Sequence, residues 1–270
     1  MAEVLPARMR VLVKGASMAV WISDMGGPRT DFAFPRRTEA ALRQAGIDAD
    51  VRTSAIPAEW AKKAIRCWQQ EVLAWSPDVV VLLYGHVECI HFLLPWRLER
   101  HANSLLTRPG RWREAYRKLV MGPLWMALVR TQARADAALS SRRLAHRARL
   151  VVADLERYIT RTKQVGSPLV LVMDIVEPGP RWQSWFPGMP ARVAVMNRAL
   201  ADMVERIGDP NVKLFRTTEV ASEYRREHGE PTPDGGHFTP ELHALIGDAL
   251  AREIGAWAAT QPHVARAQLR

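Results

Sequence analysis

Short apolar runs recur along the chain, and between them lie stretches whose apolar residues fall three and four apart. Met9–Gly15 carries Val11-Leu12-Val13, Asp78–Tyr84 carries Val79-Val80-Val81-Leu82-Leu83, and Pro168–Ile175 carries a third such run. A run with no polar alternation is what a parallel strand covered on both faces looks like. Asp48–Ile56 reads as a further strand, with Ala49, Val51 and Thr53 on one side, and Asn211–Arg216 as a short last one. Helical spacing predicts helices over Pro35–Gln44, Ala58–Trp75, Trp112–Arg130, Ala133–Val165, Ala191–Ile207 and Thr239–Trp257. Strands alternating with helices predict an α/β fold: a three-layer α/β/α sandwich around a central parallel sheet of about five strands. The long helical interval after the third strand, about residues 97–165, reads as an insertion. With no internal repeat and no Gly/Ser/Pro-rich linker, one domain over residues 1–270 is the expectation.

Composition changes this picture little. A chain of 270 residues with 48% hydrophobic and 24% charged residues is that of an ordinary globular protein. Two cysteines, Cys67 and Cys89, exclude a disulfide framework, and neither sits in a metal-binding spacing. The first strand begins too close to Met1 for a signal peptide's apolar segment, and no apolar run approaches the ~20 residues of a membrane span. A cytoplasmic location is expected.

Charge adds more. The net charge is +10, and between Arg97 and Lys163 sixteen Arg and Lys face five acids, so the rest of the chain is nearly neutral. A localised basic surface favours anionic partners. Within it, Arg111–Arg130 mixes Arg and Lys with Trp, Leu and Met, a composition suited to peripheral membrane contact, a lid, or a packed helix pair. No nucleic-acid-binding motif accompanies the charge, so no nucleic acid is expected as a partner.

Two stretches carry chemistry. The first is Gly15-Ala16-Ser17, which puts a serine just past the first strand, where open α/β sheets bind ligands. Gly15 is expected to break the strand into a sharp turn. The second is Pro231-Thr-Pro-Asp234-Gly235-Gly236-His237-Phe-Thr-Pro240, an ordered loop ahead of the last helix. Asp234 lies three residues from His237, within reach of one imidazole nitrogen, which leaves the other free to take a proton from a hydroxyl. Nucleophile, base and orienting carboxylate are the three roles of a serine-hydrolase triad. A third stretch, Glu177–Pro190, holds Arg181, Trp182 and Trp185 among prolines at a strand end, a composition for an apolar acyl or ring pocket with an anion contact.

In order and context these stretches, together with Tyr84-Gly85-His86-Val87-Glu88 after the third strand, resemble the SGNH (GDSL-like) hydrolase superfamily. The α/β-hydrolase signature G-x-S-x-G fails, because Met18-Ala19 follows Ser17. The resemblance implies a triad of Ser17, Asp234 and His237 with no cofactor and no metal. It implies an oxyanion hole built from the Ser17 amide with those of Ala55 and Gly85. The superfamily's oxyanion Asn corresponds to Val87, which cannot donate; His86 is the side chain at hand to replace it. The activity it implies is that of a serine esterase acting on a small-molecule, glycan or lipid-linked O-acyl ester. An acyltransferase using the same triad and a non-catalytic basic membrane- or polymer-binding protein are the rivals.

Overall fold

The computed structural model describes residues 8–23, 27–28, 31–90, 98, 101, 104–105, 110–136 and 141–261. Its strands are β1 (Met9–Gly15), a short antiparallel pair of β2 (Trp21–Ile22) and β3 (Gly27–Pro28), β4 (Ala49–Ala55), β5 (Val79–Leu83), β6 (Leu169–Met173) and β7 (Val212–Phe215). The main sheet runs β4-β1-β5-β6-β7, parallel throughout, with Gly15 opposite Ala55 on one side and Leu83 on the other. The expected five-stranded α/β/α sandwich is therefore present.

Helices α1 (Phe34–Gln44), α2 (His86–Ile90), α3 (Arg111–Tyr116), α4 (Gly122–Asp136), α5 (Ser141–Val165), α6 (Pro180–Trp185), α7 (Met189–Ile207), α8 (Thr217–His228) and α9 (Pro240–Ala259) follow in chain order. Alternation along the strands assigns the two faces, since successive side chains point to opposite sides. Val11, Val13, Val79, Val81, Leu169 and Leu171 pack under α1, α8 and α9. Leu12, Val80, Leu82, Val170 and Val172 pack under α5 and α7.

Three local features differ from the pattern-based expectation. Ala58–Trp75 is not one helix: Ala58 adopts a left-handed φ of 57°, and a 3₁₀ turn at Ala61–Lys63 and a π turn at Gln69–Leu73 replace it. Its side chains are committed to the sheet instead, Glu71 to Lys14 and Ser54, and Glu59 to the Tyr84 hydroxyl at 3.2 Å. Helix α8 has no clear apolar signature, because it buries only Thr217, Ala221 and Tyr224 in an otherwise charged sequence. The basic interval also contributes to the core. Helix α5 forms part of the core, burying Val151, Leu155, Tyr158 and Ile159. Residues 24–26 and those after Gln261 lie outside the described residues.

Candidate active site

The site assembles at the carboxyl ends of β4, β1 and β5. Strand β1 delivers Ser17 as the first residue of a 3₁₀ turn, Ser17–Ala19. Gly15 serves by closeness rather than by turning: it is the last strand residue, and a Cβ there would lie 2.7 Å from the Leu83 carbonyl oxygen. Only glycine lets β1 and β5 approach so closely beneath Ser17.

The Pro231–Pro240 loop brings the other two groups. Ser17 Oγ lies 3.0 Å from His237 Nε2, and His237 Nδ1 lies 2.7 Å from Asp234 Oδ2. With Nδ1–H donating to the carboxylate, Nε2 is left to accept the serine proton. Asp234 is held from three directions. Its Oδ1 accepts from the amides of Gly236 (2.9 Å) and His237 (2.8 Å), and its own amide donates to Ser23 Oγ at 3.1 Å. Burial works against the Asp234 charge, but the hydrogen bonds from the His237 ring, the His237 amide and the Gly236 amide outweigh it, holding the carboxyl below its ordinary value. The His237 and Asp234 side chains keep 15% and 18% exposure, so the pair opens to solvent.

Two tryptophans flank the imidazole. Trp21 stacks on His237 with centroids 5.6 Å apart and planes 26° apart. Trp182, from α6, meets it edge-on at 6.1 Å. The indole of Trp182 lies flat on the glycine pair before His237. A Cβ would come within 2.0 Å of it at Gly235, where φ is +103°, and within 2.3 Å at Gly236. The Gly179 amide donates to the Gly235 carbonyl at 3.0 Å and fixes the two loops together.

Of the other residues singled out in the sequence, Ala55 ends β4 and Gly85 lies two residues past the end of β5, the two strands that flank β1. His86 opens α2, buried, its ring 5.6 Å from Trp182; Val87 beside it is buried as well. Arg181 is exposed above Trp185, guanidinium carbon 5.3 Å from the ring centre, while Trp182 is the α6 residue turned to His237.

Sequence reasoning missed Trp21, Ser23 and His243. His243 is fully buried in α9, its Nδ1 accepting from the Phe34 amide (3.1 Å) and its Nε2 3.2 Å from the Trp21 carbonyl. Burial pushes its pKa down to about 4, so it stays neutral while it holds Trp21 in place. The available signal was position alone: Trp21 and Ser23 follow the serine by four and six residues. Among the described residues, no group of three His, Cys, Asp or Glu side chains is placed to hold a metal ion.

No protein-family model matches the sequence, and no curated protein matches it. Solved structures share its fold. A lipase/acylhydrolase from Enterococcus faecalis has a TM-score of 0.58 at 15% identity, over 92% of this chain and 96% of that one. A carbohydrate acetylesterase from Sinorhizobium meliloti has 0.56 at 12%, over 93% and 100%. A catalytic mutant of an acetylxylan esterase from Geobacillus stearothermophilus has 0.52 at 15%, over 93% and 97%. At such identities the likeness is one of fold, and that fold is the SGNH-type α/β/α sandwich.

Proposed function

From this SGNH-type fold we propose that the protein is a serine esterase that hydrolyses an O-acyl ester through an acyl-enzyme. The observation that carries the reading is the relay Ser17 Oγ–His237 Nε2 at 3.0 Å and His237 Nδ1–Asp234 Oδ2 at 2.7 Å, poised at the strand ends. Ser17 Oγ attacks the acyl carbonyl carbon as Nε2 takes its proton. The tetrahedral adduct collapses, the ester C–O bond breaks, and Nε2 returns the proton to the departing alkoxide. Water then repeats the sequence on the acyl-serine and releases the carboxylic acid. Asp234 stays ionised throughout, fixes the tautomer and stabilises the imidazolium. The Ser17 amide, with those of Ala55 and Gly85 and the His86 ring, is assigned to the oxyanion, which forms beyond the end of β1 between β4 and β5. General-base assistance of this kind is worth roughly 10²–10⁴-fold.

The flanking tryptophans favour an ester whose acyl or alcohol part offers a flat apolar face, with Trp182 lining the pocket and Arg181 and Trp185 at its rim. The sugar acetylesterases among the fold neighbours support a glycan ester as the first class to try. On this reading residues 1–270 form one hydrolase domain. Turnover of acetylated sugars and of an aryl acetate by wild type and Ser17→Ala tests the reading. We expect acid release by wild type and a loss of about 10⁴-fold or more in the variant. Equal turnover by both proteins overturns it.

A further inference from the structure

Beyond the site, one surface is built in a way that folding alone does not explain. Helices α3 and α4 are joined by a π turn at Arg117–Met121, so residues 111–136 form one long helix. From Met121 onward it is anchored: Met121, Val129 and Gln132 are buried, the Gln132 amide donates to the Ile90 carbonyl at 3.0 Å, and α4 packs on α6, the helix that carries Trp182. Its first turns are exposed, with Tyr116 edge-on to the His101 ring at 6.0 Å between centroids. Trp112 is 90% exposed and Leu119 77%, and Tyr116, Val120 and Leu124 are also exposed. Residues 112, 116, 120 and 124 recur every four positions and form one stripe, with Leu119 beside it. Arg111, Arg113, Arg117 and Lys118 flank that stripe, and Glu114, which pairs with Lys118 at 2.9 Å, is the one acid between residues 111 and 120.

A solvent-exposed tryptophan and leucine on a helical stretch, residues 111–120, that buries no side chain is costly in water. Three kinds of cover offer themselves. A second copy bringing the same helix would set four cations against four, so charge opposes self-pairing. A nucleic acid would use the cations and Trp112 but gain nothing from Leu119, Val120 and Leu124. An anionic lipid surface satisfies both halves: acyl chains receive the apolar stripe, and headgroups meet the flanking Arg and Lys. We propose that residues 111–124 dock the protein on anionic bilayers, beside the helix that carries Trp182. No helix among the described residues is long and apolar enough to cross a membrane, so the attachment is peripheral. The inference is independent of the esterase reading, because Ser17→Ala is expected to bind equally.

Co-sedimentation with vesicles tests it, using phosphatidylcholine alone or with about 30% phosphatidylglycerol. The full-length wild type is expected to pellet with the anionic vesicles at low salt, to be released as salt rises, and to ignore the neutral ones. Trp112→Ala/Leu119→Asp should bind at least about tenfold more weakly with an unchanged thermal melt, and Arg113→Glu/Arg117→Glu should lose about fivefold per cation removed. Equal binding to both vesicle types, no binding, or variants that bind like wild type overturns the proposal. So does a wild-type dimer that Leu119→Asp converts to monomer without any vesicle binding.

Discussion

Trp182 and Lys14, at the strand ends, can be set against Trp112 and Arg113 on α3. Each pair is an aromatic and a cation, in opposite settings. Lys14 is 2% exposed and salt-bridged to Glu71, which also accepts from Ser54, so one carboxylate ties the ends of β1 and β4 together. Trp182 rests on two glycines and on the edge of His237. On α3, Trp112 is 90% exposed and Arg113 is exposed beside it. The comparison separates residues whose substitution disturbs the molecule itself from residues whose substitution disturbs only what the molecule meets.

The largest effect is expected at the strand-end pole. Asp234→Asn keeps the shape but frees the wrong imidazole tautomer, and kcat should fall by about 10⁴-fold. Steady-state kinetics beside an unchanged circular-dichroism melt check it; a loss below tenfold contradicts the triad.

Next comes Lys14→Met, which leaves Glu71 without its cation in a largely buried place. Urea unfolding should show a loss of about 3–5 kcal/mol, most of it recovered by the double variant Lys14→Met/Glu71→Leu. A double variant as unstable as the single one would show that the ion pair is not what the site needs.

A third effect is set by pH. Glu88, buried in α2, accepts from the Ala61 amide at 2.7 Å, and its second oxygen has no hydrogen-bond partner among the described residues. Burial pushes its pKa up to about 7 from an ordinary 4.5. A carboxyl raised in the folded state contributes stability that is present below pH 4.5 and is lost as pH rises to about 7. His243 acts in the opposite sense: its depressed value gives stability that is present above pH 6.5 and is lost as pH falls towards 4. Glu88→Gln should therefore remove the Glu88 share of the alkaline-side loss, on the order of 3 kcal/mol, and leave the acid-side loss intact. Melts of wild type and variant between the two limits would read this directly, and parallel curves would contradict it.

The smallest effect is expected on α3. Trp112→Ala or Leu119→Asp should change unfolding free energy by no more than about 0.5 kcal/mol, because neither side chain is buried. A loss of about 2 kcal/mol or more, on the scale of core substitutions, would mean that this helix half is packed, and the contrast between the two regions would fail.

How much of this the sequence discloses depends on the range of the forces involved. The strands are legible because their apolar runs are local, and so is the Asp234–His237 contact, since the two residues are three apart on a loop that prolines and glycines constrain. Ser17 is legible through its place after the first strand. What the chain does not disclose is which distant partner a group selects. A lysine inside an apolar strand demands a carboxylate, yet nothing in the sequence chooses Glu71 over Glu59 or Glu88. The Ala58–Trp75 periodicity is helical, but the commitments of Glu59 and Glu71 to the sheet override it. Trp21 stacks on His237 because a histidine more than two hundred residues away holds its carbonyl. Long-range packing of that kind leaves no local pattern.

The central claim is that Ser17 is a nucleophile activated by His237. Labelling with a fluorophosphonate, followed by mass spectrometry of the proteolysed adduct, tests it most directly. We predict a single covalent phosphonate on the peptide containing Ser17 in wild type, and none in Ser17→Ala or His237→Ala. An adduct on another residue, or Ser17→Ala labelled as fully as wild type, would contradict it.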